Sequence, residues 1–423
     1  MTSARDESSG RPVFFLTYAY HPDTAGGVPR IRNFSRALSS VFDTVVFTRI
    51  HSGVKGGYGS EVVVRSRDLL ARGSGSRGQG AKAPGALRAL SNWLFPDRHF
   101  AWIAPVVWRA MVQSYRVGRP VAVITTYGPA SNVLAALIIS RLLRVPLVLD
   151  FRDLYATLPF AKFPTRIHRR LAHILEAAAV RRASLITAVS DAMLETIAQV
   201  HRQDLTEEKW LAIPNGFDPA HVQYVRDLRT PSESRPFSLY YTGSAYGGYD
   251  FEPLAGGLSR LVTSESLTPD DFRLVMVGGQ FPSDLLKKFD LGQYVEHLPY
   301  CSHEEVFEHL GRADALVVVE GQGYWAKYGF PVKVFDYILS GKPIVGVLNQ
   351  GGNTSKLLSQ IGRATVASSD DETGIDQALR KMISLKNAPM AVIEVSRRPF
   401  SDFSRDNQSR QFVEKVSKML SIA

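Results

Sequence analysis

The sequence predicts an α/β fold of two doubly wound units placed in series along the chain. Short apolar runs recur without polar alternation, the mark of strands buried on both faces of a parallel sheet. Helical stretches separate these runs, as the crossovers between parallel strands require. At 423 residues the chain is too long for one core, and it suits two domains of roughly 200 residues each.

The first strand run is Val13 to Thr17 (VFFLT), followed by the turn segment Tyr20 to Gly27 and by Ile31, Phe34, Leu38 and Val41 at helical spacing. Further strands are expected at Thr44–Thr48, Val121–Thr125, Pro146–Asp150 and Ser184–Val189. Ala71 to Ala86 (ARGSGSRGQGAKAPGA) reads as a flexible low-complexity loop within this unit. The turn cluster Ile213 to Asp218 (IPNGFD) and the polar segment up to Pro236 mark the boundary. The expected division is therefore 1–214, 215–403 and a terminal helix over 404–423. Strand runs then resume at Ser238–Thr242, Arg273–Val277, Ala315–Val319, Pro343–Val347 and Thr365–Ala367.

Composition narrows the classes. The one cysteine, Cys301, excludes a disulfide framework and a thiolate zinc site built from this chain alone, and it fits a reducing compartment. Thr2 to Arg11 is polar and lacks the apolar core of a signal peptide. The run Val133 to Ile139 is too short to span a bilayer. A cytoplasmic protein with at most peripheral membrane contact is expected. Charge is uneven: residues 1–220 hold 28 Lys and Arg against 16 Asp and Glu, whereas the rest holds 22 against 24. Such a basic half is either a solvated surface or a face toward nucleic acid or an anionic membrane.

Gly26 and Gly27 lie between a strand and a helix, where backbone amides can approach a phosphate, or where a turn simply needs them. The dinucleotide fingerprint GxGxxG and the P-loop are both absent. His21 and Asp23 in the same loop are candidates for sugar contact or for capping and turn roles. Asp150, Arg152 and Asp153 (DFRD) follow a strand at its carboxyl end, the ligand edge of such sheets. They form either an internal ion pair or hydrogen bonds to substrate hydroxyls. The most informative stretch is Tyr324 to Val347 (YWAKYGFPVKVFDYILSGKPIVGV). Pro331 favours a helix start, whose free amides attract a diphosphate. Lys333 lies in that first turn, where the helix dipole disfavours a cation unless an anion is also bound. Asp336 follows three residues later, placed to accept from ribose hydroxyls or to pair with Lys333 in solvent. Gly341 is expected to stop the helix.

These residues carry a resemblance. The segments AYHPDTAGGVPR, LVLDFRDLY, IPNGFD, SLYYTGSAYGG and FPVKVFDYILSGKPIVGV, in this order over roughly Val13 to Phe403, are similar to those of the family-4 retaining glycosyltransferases of GT-B fold. The subgroup acting in bacterial cell-surface polysaccharide synthesis resembles it most. The resemblance implies two Rossmann-like domains facing a central cleft, with the nucleotide-sugar donor bound mainly by the second and the acceptor by the first. It also implies that the last helix, Ser404 to Ile422, crosses back to the first domain. The family's pair of glutamates separated by seven residues is here Tyr328 and Asp336. Where the family commonly places an Arg and a Lys for the diphosphate, this chain has Gly243, Ser244, Tyr246 and Gly247, so neutralisation of that charge is expected from Lys333, the glycine-loop amides and Lys327. The implied catalytic set is Asp150, Asp153 and Lys333. The implied donor contacts are Gly26, Gly27, Gly243, Ser244, Tyr328, Pro331, Lys333 and Asp336.

The chain shows no DxD metal motif, so the expected transfer is metal-independent and needs no cofactor; the nucleotide-sugar is a co-substrate. Without an obvious carboxylate nucleophile, front-face substitution is expected, with the leaving diphosphate accepting the acceptor's proton. Asn92 to Met111 combines Trp93, Phe95, Phe100, Trp102 and Trp108 with Arg98 and Arg109, and Arg166, Arg169, Arg170, Arg181 and Arg182 add a basic helix. These are either core aromatics beside a solvated helix or an interfacial segment at the inner membrane face. The second reading favours a lipid-linked saccharide or polysaccharide acceptor, with His21, Asp23, Arg98, Trp102 and Arg152 as acceptor contacts. A small soluble acceptor, a sugar-nucleotide epimerase, a nucleic-acid-binding protein and an inactive scaffold are the competing readings. No nucleic-acid motif is present, and the paired acid/base groups of an epimerase are not evident.

Overall fold

The computed structural model describes residues 10, 12–23, 27–51, 54, 56–70, 93–158, 161, 163–222, 224, 236–243, 249–321, 323–386 and 400–422. Among the candidates named above, Gly26, Ser244, Tyr246, Gly247 and the loop 71–86 lie outside them. The chain divides into two compact units, Met1–Ile213 with Asp406–Ala423, and Pro214–Arg405.

The first unit runs β1 (Pro12–Leu16), α1 (Val28–Ser39), β2 (Asp43–Arg49), β3 (Val62–Ser66), α2 (Ile103–Val117), β4 (Ala122–Thr126), α3 (Ala130–Leu143), β5 (Leu147–Phe151), α4 (Arg166–Arg182), β6 (Ala183–Ala188), α5 (Asp191–His201) and β7 (Trp210–Ala212). Its strands form one parallel sheet in the order β3-β2-β1-β4-β5-β6-β7.

The second unit runs β8 (Phe237–Thr242), α6 (Glu252–Ser264), β9 (Phe272–Val277), α7 (Ser283–Lys288), β10 (Val295–Leu298), α8 (His303–Arg312), β11 (Ala315–Val319), α9 (Tyr324–Tyr328), α10 (Val332–Ser340), β12 (Ile344–Leu348), α11 (Asn353–Ser359), β13 (Ala364–Ser368) and α12 (Glu372–Ser384). Its parallel sheet has the order β10-β9-β8-β11-β12-β13. The last helix, α13 (Arg405–Ile422), packs on the first unit, where Phe412 stacks on Phe34 with ring centroids 4.1 Å apart. Both sheets have helices on both faces, so each unit is a doubly wound Rossmann-like domain.

The burial explains the unbroken apolar runs. Along β11, Ala315, Val317 and Val319 pack on one face against α6 and α12 residues such as Leu258 and Leu379. Leu316 and Val318 pack on the other face with Phe307 of α8 and Val334 of α10. Period-2 geometry sends alternate side chains to opposite layers, and both layers are dry. In α1, Ile31, Phe34 and Leu38 are buried as the spacing predicts, but the helix ends at Ser39 and leaves Val41 exposed.

In each sheet the strand order reverses direction beside the first strand, between β1 and β4 and between β8 and β11. Sheets of this kind bind ligands outside the carboxyl ends of those strands. The residues of interest gather there.

Candidate functional site

In the second unit, Gly243 follows β8 with φ +88°, a conformation glycine adopts without strain. Its amide donates to the Val277 carbonyl at 2.8 Å. Helix α10 is fixed against this strand end by Tyr337, whose hydroxyl accepts from the Thr242 amide at 2.7 Å and from the Thr242 hydroxyl at 3.2 Å. Asn215 donates to the Phe330 carbonyl at 3.1 Å, holding the turn before the helix. Pro331 occupies the N-cap position, so Lys333 falls in the first turn, and Gly341 ends the helix at φ +65°.

Lys333 is folded under this helix start. Its Nζ lies 3.6 Å from the centroid of the Tyr241 ring and 5.1 Å from that of Tyr249. A Cβ built on Gly243 would stand 3.7 Å from Nζ, so the ammonium lies against the glycine turn. The Nζ is shielded from solvent and has no hydrogen-bond partner among the described residues. Desolvation lowers its pKa from the ordinary lysine value to about 7. A cation with ring faces beneath it and open valences is prepared for an anion.

Asp336 is buried and turned to a different neighbour. Its Oδ2 accepts from His303 Nε2 at 2.9 Å, and His221 Nδ1 stands 3.9 Å from Oδ1. The sequence reading paired Asp336 with Lys333 or with ribose; no salt bridge joins Lys333 and Asp336 among the described residues. The hydrogen bond to Asp336 raises the His303 pKa, while burial lowers that of His221. His303 is set in place by a capping box in which Ser302 and Glu305 exchange hydrogen bonds at the start of α8. Tyr328, at the position of the family's first glutamate, is buried, with Lys327 Nζ 4.9 Å from its ring centroid.

Glu320 caps the end of β11 and was not singled out by sequence. It is fully buried, its Oε1 accepts from Thr354 at 2.6 Å, and burial raises its pKa to about 7.

In the first unit, the DFRD segment resolves into separate roles. Asp150 is 2% exposed and accepts from Arg30 Nη2 at 2.7 Å and Nε at 3.1 Å, from Thr187 at 2.7 Å and from Thr126 at 3.2 Å. Burial alone would raise its pKa, but the Arg30 charge and these hydrogen bonds hold it below the ordinary carboxylate value. The expected catalytic carboxylate thus has the contacts of an internal ion pair, and its partner is Arg30 rather than Arg152. Arg152 donates instead to the carbonyls of Tyr127 and Gly128, at 3.1 and 2.8 Å. A Cβ on Gly27 would fall 1.0 Å from Arg152 Nη1, so this glycine leaves room for the guanidinium. Asp153 is exposed.

The acceptor candidates also separate. Asp23 pairs with Arg49 and with His51, at 3.1 Å for the latter. His21 packs its ring on Tyr58. Trp102, expected at the acceptor surface, is fully buried and stands edge-on to Tyr18 at 5.5 Å, which makes it a core residue. Arg98 lines a cavity of about 890 Å³ together with Trp93, Phe95, Tyr155, Leu158 and Phe163. In its wall, His99 stands 3.4 Å from Asp68, which also accepts from the Tyr18 hydroxyl at 2.8 Å. Beside His168, which lines the cavity, α4 carries exposed Ile167, Leu171 and Ile174 at i, i+4 and i+7, hence on one helix face, with exposed Arg166 just before them and exposed Arg169 and Arg170 between them. Among the described residues no helix is long and apolar enough to cross a membrane.

Comparison with known proteins places this architecture. Residues 26–221, a little under half of the chain, match Glycosyltransferase Family 4. Among solved structures, sucrose-phosphate synthase from Thermosynechococcus elongatus is similar at 13% identity and TM-score 0.64, covering 98% of this chain and 100% of that one. HepE of Anabaena, solved with UDP, is similar at 15% identity and TM-score 0.60 over 96% and 100%. The lipopolysaccharide outer core galactosyltransferase WaaB gives 14% and 0.58 over 96% and 99%. Identities this low establish the fold alone. No curated protein sequence matches the chain. Residues 26–221 thus match the family-4 glycosyltransferase model, and along its whole length the chain has the two-domain GT-B architecture of these solved glycosyltransferases.

Proposed function

We propose that the protein transfers a sugar, with retention, from a nucleoside-diphosphate sugar to a lipid-linked or polysaccharide acceptor at a membrane surface. The observation that carries the donor half is Lys333, a shielded ammonium without a hydrogen-bond partner among the described residues, at a helix start beside the Gly243 turn. A diphosphate would supply its missing partner and meet the α10 amides at the same time. HepE, a structural neighbour, was solved with UDP and with UDP-glucose. Asp336 would take the ribose hydroxyls with His303 sharing its carboxylate. The leaving diphosphate would accept the acceptor's proton, while Lys333 stabilises its growing charge; this scheme requires neither metal nor cofactor.

The acceptor half rests on the first unit. Its cavity is walled largely by apolar and aromatic side chains with Arg98 and His168 at hand, which suits an apolar chain joined to a polar or phosphorylated head. The Ile167–Leu171–Ile174 stripe and its arginines have the make-up of a helix lying on an anionic leaflet. Asp153 and Arg152 are left as contacts to the acceptor's hydroxyls, whereas Asp150 is assigned to the internal ion pair.

A thermal-shift panel of UDP-, GDP-, dTDP- and ADP-sugars, run with a chelator present, tests the donor site. One nucleotide class should raise the Tm of the wild type and not of Lys333→Ala. Equal shifts in both proteins, or none with any nucleotide, would remove Lys333 from the donor site.

A further inference from the structure

The structure assigns a binding site for a divalent transition metal, of the Zn2+ or Co2+ kind, to His221, His303 and Asp336. The three come from separate elements: the 3-10 turn Pro219–His221, the first residue of α8, and the middle of α10. Each offers one ligand atom, and these atoms all lie within 4.8 Å of one another. The closest pair, His303 Nε2 and Asp336 Oδ2, is 2.9 Å apart, and His221 Nδ1 is 3.9 Å from Asp336 Oδ1. Ligand atoms held about 2.0–2.2 Å from one tetrahedral ion stand roughly 3.3–3.6 Å from each other, a spacing these side chains would reach by small adjustments.

A second observation points the same way. His221 Nδ1 is shielded from solvent and has no hydrogen-bond partner among the described residues. A buried imidazole nitrogen left so is destabilising, and a metal ion would satisfy it. The His221 and His303 rings meet edge to face at 84° with centroids 4.4 Å apart, so the two imidazoles adjoin without stacking. Two imidazoles and one carboxylate suit Zn2+, Co2+ or Ni2+ and disfavour Mg2+ and Ca2+, which prefer all-oxygen sets. The His303 side chain is 45% exposed, so water can reach the ion and complete its coordination. Asp218 favours a cation here and Arg405 opposes it; both charges act on His221 and on His303.

The ion would occupy the carboxylate that the donor reading gives to ribose. On that reading, which this consequence rests on, the metal holds the donor off and slows transfer rather than assisting it.

The test uses the full chain, stripped with a chelator and free of nucleotide. Co2+ titration, followed by its visible absorption, and Zn2+ titration calorimetry should each give one ion per chain. His303→Gln and His221→Gln should each weaken binding at least tenfold with unchanged circular dichroism, and Zn2+ should raise the wild-type Tm but not that of either variant. Absence of binding, or binding undiminished in both variants, overturns the site. Because this titration contains no nucleotide and the donor panel contains no free metal, either result can fail without the other.

Discussion

The Lys333 ammonium lies 3.6 Å from the centre of the Tyr241 ring, against the Gly243 turn, with its pKa lowered to about 7 by desolvation. A bound diphosphate would raise that pKa again, because it favours the charged form. Above pH 7 the free protein is mostly uncharged at this position, so binding must draw in a proton. Donor affinity should fall as pH rises from 7 to 9. Calorimetry at pH 8 in two buffers of different ionisation enthalpy should show proton uptake in the wild type. Lys333→Met should show none and bind about 10- to 100-fold more weakly, the worth of a charge-assisted contact. Proton uptake unchanged in Lys333→Met would place the titrating group elsewhere.

The same lysine carries a stability signature. Its folded pKa lies below the unfolded one, so between about pH 7 and the ordinary lysine value the unfolded chain binds more protons, and stability rises with pH. Glu320 acts in the opposite sense. Its pKa is raised to about 7 by burial, so stability falls as pH climbs from the ordinary glutamate value through 7. Glu320→Gln keeps an acceptor for Thr354 and removes the titration. Relative to wild type it should be near neutral at pH 5 and stabilising at pH 8, by up to about 3 kcal/mol. A pH-independent difference in denaturant unfolding would refute the assignment.

Asp150 and Arg30 give a prediction that separates architecture from catalysis. Breaking a buried pair strands the remaining charge, at a cost of about 3–5 kcal/mol. Asp150→Ala should therefore lose that much stability in urea, together with expression yield. The double variant Arg30→Met/Asp150→Leu should recover most of it. A stable Asp150→Ala with selectively lowered kcat would return Asp150 to the catalytic set.

How much was legible follows from where each residue lies. Central strands such as β5 and β11 are apolar on both faces and read directly as runs. The strands that sequence reasoning missed, β3, β7 and β10, are all sheet edges, and polar residues interrupt VVVRS and VEHL because one side meets water. At the site, Pro331, Lys333 and Gly341 could be read because a helix start, a misplaced cation and a helix stop are local signals. The partners of Asp150, Asp336 and Lys333 could not. Arg30, His303 and Tyr241 reach them across long stretches of chain, and one sequence carries no record of such pairings. Trp102 shows the converse: an aromatic, basic segment has the same composition whether a given tryptophan faces water or the core, and here the core holds it.

The helix α4 tests the membrane reading because its apolar stripe can be altered without touching the core. Ile167, Leu171 and Ile174 are 69%, 37% and 55% exposed, so Ile167→Ser/Leu171→Ser/Ile174→Ser should fold with a Tm close to wild type. Each exposed arginine beside them adds on the order of 1 kcal/mol of attraction to an anionic leaflet, and apolar insertion adds to that. The wild type should therefore co-sediment with vesicles containing anionic lipid and not with neutral ones, and the triple variant should bind at least tenfold more weakly. Raising salt should weaken binding as well, since the Debye length shrinks from about 10 Å at 0.1 M to about 3 Å at 1 M, but a residual salt-resistant fraction should remain in the wild type and vanish in the triple variant. Salt-sensitive binding that the triple variant retains in full would mean that charge alone holds the protein and that the stripe does not insert. No binding to any vesicle would sink the membrane reading and favour a soluble acceptor in the first unit's cavity.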